Sequence, residues 1–437
     1  MDSLAIPHQR RTLANGLDVI VHEDHQVPIV AVNLWYHVGS KNERPGRTGF
    51  AHLFEHLMFE GSEHHDSGYF PPLQEAGGQV NGSTNTDRTN YWEVVPTSAL
   101  ERALWLESDR MGYLLPALTP ERFENQRDVV LNERRQNYEN RPYGLAMVAL
   151  SAALYPPEHP YHWLTIGSAE DIRSMRLADV QDFFRTYYHP ANASLALAGS
   201  VDTTRAFELA ERYFGDIPPG PRPSRVVADD RLDRDVRLVL EDRVEMPRLY
   251  MAWLSPAIYA EYDAELDLLS DLLANGKTSR LYRVLVFERR VALDVSAYQS
   301  SRELGGFFLV VATAAPGHAL DEIAGSIDDE ARRLCAEGPT EAEMERARIQ
   351  IEAHFMYRLQ TVGGFGGKSD QLNAYNVLKG DPGYFATDLA RYRNATAESV
   401  RTAAHVFLDL DRRVSLSVVP RGQPQLAMAG SEPVTAS

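Results

Sequence analysis

The chain has 437 residues, 44% hydrophobic and 24% charged, the mixture of a globular protein long enough for two domains with large cores. A formal net charge of -17 and a pI near 5.3, with no basic tract, exclude a nucleic-acid backbone as a natural partner. The one cysteine, Cys335, excludes an internal disulfide and a cysteine-rich zinc site, so histidine and carboxylate are the available zinc ligands.

The first seventeen residues hold Arg10 and Arg11 but no apolar core behind them, and no apolar run later approaches a membrane span. If Met1 is the natural start, a cytoplasmic protein is expected; a periplasmic chain relieved of its leader would read the same. Residues 17–21 and 28–38 form two predicted strands, the second apolar enough to sit mid-sheet. A turn-rich loop, 39–46, precedes a predicted helix containing His52, Glu55 and His56.

Two histidines four apart share one helical face, with Glu55 beside them, while Phe50, Leu53, Phe54, Leu57 and Met58 gather on the other side. One face can enter a core as the other presents two imidazoles and a carboxylate to a cavity. Neutral imidazole suits zinc, and a carboxylate that touches water but not the metal can act as general base. Gly61 is the predicted stop of this helix. His64 and His65 are adjacent, point apart, and read as loop residues.

Residues 77–96 read as a hairpin with a Gly/Asn-rich first arm around Asn81, Gly82 and Thr84. A bare edge strand of this kind can accept an extended peptide as an added strand, though alone it reads as an ordinary softened edge. A helix over 98–111 follows. Thr119 and Pro120 then open another helix as cap and first residue, with Val130 on its buried side. Glu133 on this helix is a candidate third ligand, and spacing alone does not choose it over Glu124 or Glu139. Pro142 ends the helical pattern.

A helix over 179–188, a strand over 194–199 and a helix over 205–213 lead to the proline-rich stretch 217–223, the clearest linker. After it the pattern restarts. Pro247 echoes Pro28 at an offset of 219 residues, and Gly276 echoes Gly61 at 215. In the second register Asp267, Ser270 and Asp271 stand where His52, Glu55 and His56 stand, so the helix is kept and the ligands are not. The expected division is 1–217 as the metal-binding domain, 218–234 as linker and 235–437 as a related domain without metal. A strand over 307–313 and a long helix over 340–359 follow. The glycine-rich 363–368 lacks the setting of a phosphate loop and reads as a mobile turn. The chain after Arg421 reads as a frayed end.

The motif from Pro45 through Gly61, H-x-x-E-H in order, resembles the inverzincin signature of the pitrilysin/insulinase metallopeptidases, above all the smaller members related to mitochondrial processing peptidase. The resemblance covers nearly the whole chain. In that family the third ligand is a glutamate 77 positions after the second histidine, which here is Glu133. It therefore implies one Zn2+ per chain on His52, His56 and Glu133, with Glu55 as general base. It also implies substrate backbone bound along the strand of Asn81, Gly82 and Thr84. The acidic residue that relatives place seven positions before the third ligand is Gln126 here, an amide fit for a supporting hydrogen bond.

The implied fold is α+β: two structurally related halves, each a mainly antiparallel sheet with helices packed on it, arranged as a clamshell. The resemblance departs in the second half. Relatives carry an arginine and a tyrosine seven apart after a leucine-rich helix, where this chain has Val286 and Leu293, with Arg290 and Tyr298 off register. The expected function is a zinc endopeptidase for peptides or unfolded chains in an enclosed chamber, its missing Arg/Tyr pair supplied by a homologous partner in a heterodimer, a homodimer being the other arrangement. The rival expectation is a non-catalytic scaffold or peptide-binding subunit.

Overall fold

A computed structural model describes residues 4–435, which build two mixed six-stranded sheets with helices against them, an α+β architecture. The first sheet comprises β1 (Gln9–Thr12), β2 (Asp18–Glu23), β3 (Ile29–Tyr36), β4 (Gln79–Thr84), β5 (Thr89–Pro96) and β6 (Ala193–Gly199), in spatial order β1-β2-β6-β3-β5-β4. The second comprises β7 (Val236–Asp242), β8 (Arg248–Ser255), β9 (Ala292–Ser300), β10 (Gly306–Ala314), β11 (Val414–Pro420) and β12 (Glu432–Pro433), in order β12-β7-β11-β8-β10-β9.

The shared part of the two orders is one topology repeated. Pairs β2–β6 and β7–β11 are parallel, and the strands beyond them are antiparallel in both sheets. The offset of 219 residues carries β3 onto β8 end to end. The offset of 215 carries helix Phe50–Leu57 into helix Asp263–Ala274. The sheets differ at one border, where β1 runs antiparallel to β2 and β12 runs parallel to β7. The end of the chain is therefore not frayed where β12 pairs; its backbone is held on the ladder of β7.

The chain divides into two compact units. One holds the residues up to Asn132, Thr165–Val226 and His354–Asp388; the other holds Glu133–Leu164, Val227–Ala353 and the residues from Leu389. Compared with a contiguous split at residues 218–234, two segments are exchanged. The stretch 218–233 does lack helix and strand. Helix Ala146–Leu154, from the first half of the sequence, packs its Ala149, Leu150 and Leu154 on Tyr250, Leu309 and Leu416 of the second sheet. Helix Lys368–Lys379, from the second half, covers β3 and β6 of the first sheet.

That first-unit face is polar and matched by hydrogen bonds. Asp370 accepts from Trp35 Nε1 at 2.8 Å and Asn90 Nδ2 at 3.0 Å, while Asn373 donates to the Asn33 carbonyl at 2.8 Å and accepts from Ser194 Oγ at 2.8 Å. Buried amides and carboxylates are costly unless paired, so this face specifies which helix can lie on it. The opposite face presents Val30, Val32, Leu34 and Tyr36, all at 0% exposure, by the period-two alternation of β3.

Beneath this apolar face lies a buried guanidinium with acidic neighbours. Arg110 of helix Leu100–Ala117 sits between the rings of Tyr69 (3.8 Å to the centroid) and Tyr91 (4.1 Å), bonded to Glu107 and within 3.6 Å of Glu93. Burial and the neighbouring Glu107 push the Glu93 carboxyl far up.

Candidate metal centre

Helix Phe50–Leu57 is built by three local devices. Gly49 caps it with φ 93°, and a Cβ there would meet Ile166 O and Ile172 at 3.1 Å, so only glycine fits. The Glu43 carboxylate accepts from Gly49 N at 3.0 Å and Ala51 N at 2.8 Å, satisfying two otherwise orphan donors and opposing the positive end of the helix. Phe54 stacks on Tyr188 at 4.7 Å and Phe184 at 5.5 Å, which anchors the apolar side. Phe50, Leu53, Phe54, Leu57 and Met58 are buried, while His52, Glu55 and His56 are half-buried on the other side. The helix ends at Leu57, four residues before Gly61, because Met58–Glu60 relax into turns.

The second contribution comes from helix Pro120–Arg134, which starts with Thr119 Oγ1 accepting from Arg122 N at 3.3 Å. Val130 is fully buried. The helix carries Glu133 in its last turn, and one ligand atom each from His52, His56 and Glu133 lies within 4.8 Å of the other two. The imidazoles meet edge to face, with centroids 4.9 Å apart. Glu124 and Glu139 are not part of this group; Glu139 pairs with Arg134. Two imidazoles and a carboxylate converging at that spacing match the protein donor set of a catalytic zinc site.

Around the three lie groups with no signature in the sequence. Helix Pro120–Arg134 widens into a π turn, Arg135–Glu139, closed by Asn140 N donating to Arg135 O at 2.8 Å. That turn brings Asn137 Nδ2 to 3.4 Å from Glu133 Oε1. Burial raises the Tyr138 hydroxyl, and the Glu133 charge adds to it. Arg88, in the β4–β5 turn, donates to Ser83 O at 2.8 Å; burial lowers its guanidinium, with Asp370 and Glu55 opposing that shift. Glu43, Asn137 and Arg88 are close to the site through loops and an irregular turn, where spacing gives no phase to read.

The other expected residues fall as follows. Gln126 donates to Glu60 Oε1 at 2.6 Å. Strand β4 is the border of the first sheet. In its register with β5, Asn85 N bonds Arg88 O, so by antiparallel alternation Val80, Gly82 and Thr84 turn their backbone groups to the open side. Asn81 Oδ1 accepts from Gly82 N at 2.8 Å. A Cβ on Gly82 would come within 2.9 Å of Tyr91 and 3.0 Å of Phe59, so glycine lets the strand lie on those rings. His64 and His65 stand outside the metal group: His64 Nδ1 bonds Asp109 at 2.6 Å and His65 Nε2 bonds Gly68 O at 2.9 Å. In the second unit Val286 is half-buried, Leu293 and Tyr298 are exposed, and Arg290 has φ 56°.

The chain is similar to known proteins over most of its length. Residues 18–159 match the family described as insulinase (peptidase family M16), and residues 174–351 match the peptidase M16 inactive domain. The chain is 29% identical over 379 residues to the zinc protease PqqE of Helicobacter pylori, covering 85% of each. It is 24% identical over 369 residues to the beta subunit of mitochondrial-processing peptidase from Blastocladiella emersonii, covering 82% of this chain and 77% of that one. Among solved structures, a protease from Helicobacter pylori superposes with a TM-score of 0.86 at 26% identity, covering 95% of this chain and 100% of the other. The periplasmic protease PqqL from Escherichia coli shares the fold, with a TM-score of 0.78 at 17% identity over 98% of this chain and 50% of that one. No helix among the described residues is long and apolar enough to cross a membrane.

Proposed function

The chain belongs to the insulinase and pitrilysin family of peptidases, M16, and from that premise we propose that it is a zinc-dependent endopeptidase acting on extended peptides or unfolded chains. The carrying observation is the convergence of Glu133 on His52 and His56 within 4.8 Å, the two histidines lying on a helix that also presents Glu55. These three residues would hold one zinc ion per chain. Bound zinc supplies Lewis acidity, polarising the scissile carbonyl and making water easier to deprotonate. The Glu55 carboxylate takes a proton from the attacking water as its oxygen joins the carbonyl carbon. It then delivers that proton to the leaving nitrogen as the C–N bond breaks, and ends ionised again.

The border strand β4 receives the substrate in this reading. The outward groups of Gly82 and Thr84 pair with an extended peptide backbone, and Asn81 gives up its bond to Gly82 N when the peptide arrives. We place an Arg/Tyr pair for the scissile region on a homologous partner subunit, because Val286 and Leu293 hold the two positions here. One relative is by name a subunit. The non-catalytic reading draws on the match to an inactive domain. That match spans 174–351, the half with Asp267, Ser270 and Asp271, whereas all four chemical residues lie within 18–159.

The test is metal analysis with a quenched-fluorescence peptide assay, on the chain alone and mixed with homologous partner chains. One zinc per chain, and cleavage that a chelator stops and a partner raises, is the expected result. A folded chain that retains no zinc would sink the peptidase reading. Full turnover without a partner would sink the heterodimer alone.

A further inference from the structure

The border strand β4 has two faces, and they meet different surroundings. Gly82 lies on the rings of Phe59, three residues past His56, and Tyr91, which feels the Glu55 charge. Gln79, an odd number of positions away, belongs to the opposite face, where it pairs with Val94. On that face a cleft of about 720 Å³ opens beside it. Ile29, Val94, Leu359 and Val362 wall the cleft, all half-buried, and the Lys368–Asp24 ion pair at 3.0 Å also lines it.

The wall facing the sheet is the glycine-rich stretch after helix Glu341–Arg358. Gly363 presses on the strands: a Cβ there would come within 2.6 Å of Ala31 and Val94. Lys368 N donates to Thr361 O at 3.0 Å and Ser369 N to Val362 O at 3.0 Å, so the wall is tied back to helix Lys368–Lys379. Phe365, 51% exposed, stands edge to face with Trp92 at 5.4 Å. Trp92 is paired with Asn81, so the apolar row runs on along β4.

We propose that this cleft is a specificity subsite for a large apolar side chain of the bound peptide, displaced along β4 from the reacting bond. The inference rests on the peptidase reading and on β4 as the receiving strand. Side chains of a peptide paired with β4 alternate between its faces. One opposite Gly82 falls on the Phe59 side. One opposite Gln79 lies three residues on, about 10 Å along the strand, and falls on the cleft side. The aliphatic walls lose water to a leucine or phenylalanine placed there, which is favourable. A charged side chain would give up hydration against walls whose two charges, Asp24 and Lys368, already neutralise each other.

A set of quenched peptides decides it. Each has one leucine moved through an otherwise serine- and alanine-based chain, and the cut bond is read by mass spectrometry, with a homologous partner chain added where turnover needs one. The parent is expected to prefer leucine over serine about tenfold in kcat/KM, through KM, when that residue stands about three to five positions to one side of the cut bond. Val362→Asp, which puts a carboxylate into the wall, is expected to bring that ratio close to one and to favour lysine over leucine at the same position. Leu359→Ser, on the same wall, is expected to flatten the ratio too, and serves should Val362→Asp not fold. Folded variants that keep the parental ratio overturn the inference. A parent that cuts peptides but is indifferent to leucine at that distance overturns this inference alone. A parent that cuts none, with or without a partner, overturns the peptidase reading and this inference with it.

Discussion

Glu55→Gln is expected to leave the protein folded and zinc-loaded while peptide hydrolysis falls by about 10²–10⁴, the usual contribution of a positioned general base. Glutamine keeps the volume and the hydrogen-bonding reach of the side chain, so the apolar side of helix Phe50–Leu57 and the cap from Glu43 are untouched. What is lost is the capacity to take a proton from water and return it to the leaving amine. The same substitution relaxes the field at Arg88, whose guanidinium feels Glu55, without removing its bond to Ser83. The check is kcat/KM on a quenched peptide beside zinc content by mass spectrometry. Unchanged kcat/KM in a zinc-loaded variant would remove Glu55 from the chemistry. Loss of zinc together with activity would instead place it among the groups that hold the metal.

The site was readable where a periodic pattern fixes the phase. Helix Phe50–Leu57 is amphipathic over two turns, and once Leu53, Phe54 and Leu57 are assigned to a core, His52, Glu55 and His56 can only face away from it. Glu133 was not readable on those terms. The phase of one helix says nothing about its rotation against another, which is set by contacts such as Val130 in the core and Gln126 on Glu60; family spacing supplied the choice among Glu124, Glu133 and Glu139.

The strands followed the same logic. β3 and β8 are apolar runs in the middle of their sheets, and the echo of Pro28 in Pro247 just ahead of them marks the repeat. The exchange of helices Ala146–Leu154 and Lys368–Lys379 left no mark, because an amphipathic stretch declares that it has a face to bury and not which sheet will cover it. The two solutions even differ in chemistry. Leu150 and Leu154 bury on apolar side chains, whereas Asp370 and Asn373 bury on hydrogen bonds to Trp35, Asn90 and Ser194. β12 was missed for the reason short strands usually are: two residues carry no period.

The helix that repeats the metal helix without its ligands has a charge problem of its own, and this gives the second large effect. Asp267, in the register of His52, accepts from Tyr392 OH at 2.7 Å. Burial raises its carboxyl to about 7, with the nearby Asp263 charge adding to that and Tyr392 and Arg391 opposing it. Asp263 is itself engaged by Arg391 at 3.0 Å, so its negative charge is held close by. Folding therefore favours the protonated acid. The stability this proton brings is fully present below about pH 4, where the unfolded chain is protonated too, and is lost as pH rises from there through about 7. A rise of that size corresponds to roughly 4 kcal/mol at most between the two ends of the window.

Asp267→Asn keeps an oxygen for Tyr392 and removes the titration. Urea unfolding of the parent and the variant at pH 5 and pH 8 should show the variant the more stable at both values, and by clearly more at the higher pH. A gap between the two proteins that is the same at both values would mean that Asp267 is ionised throughout, its charge met by Arg391 after all. The expected widening gap would mark the second helix as one that carries, at neutral pH, the cost of a desolvated acid at the position where an imidazole stands in the first.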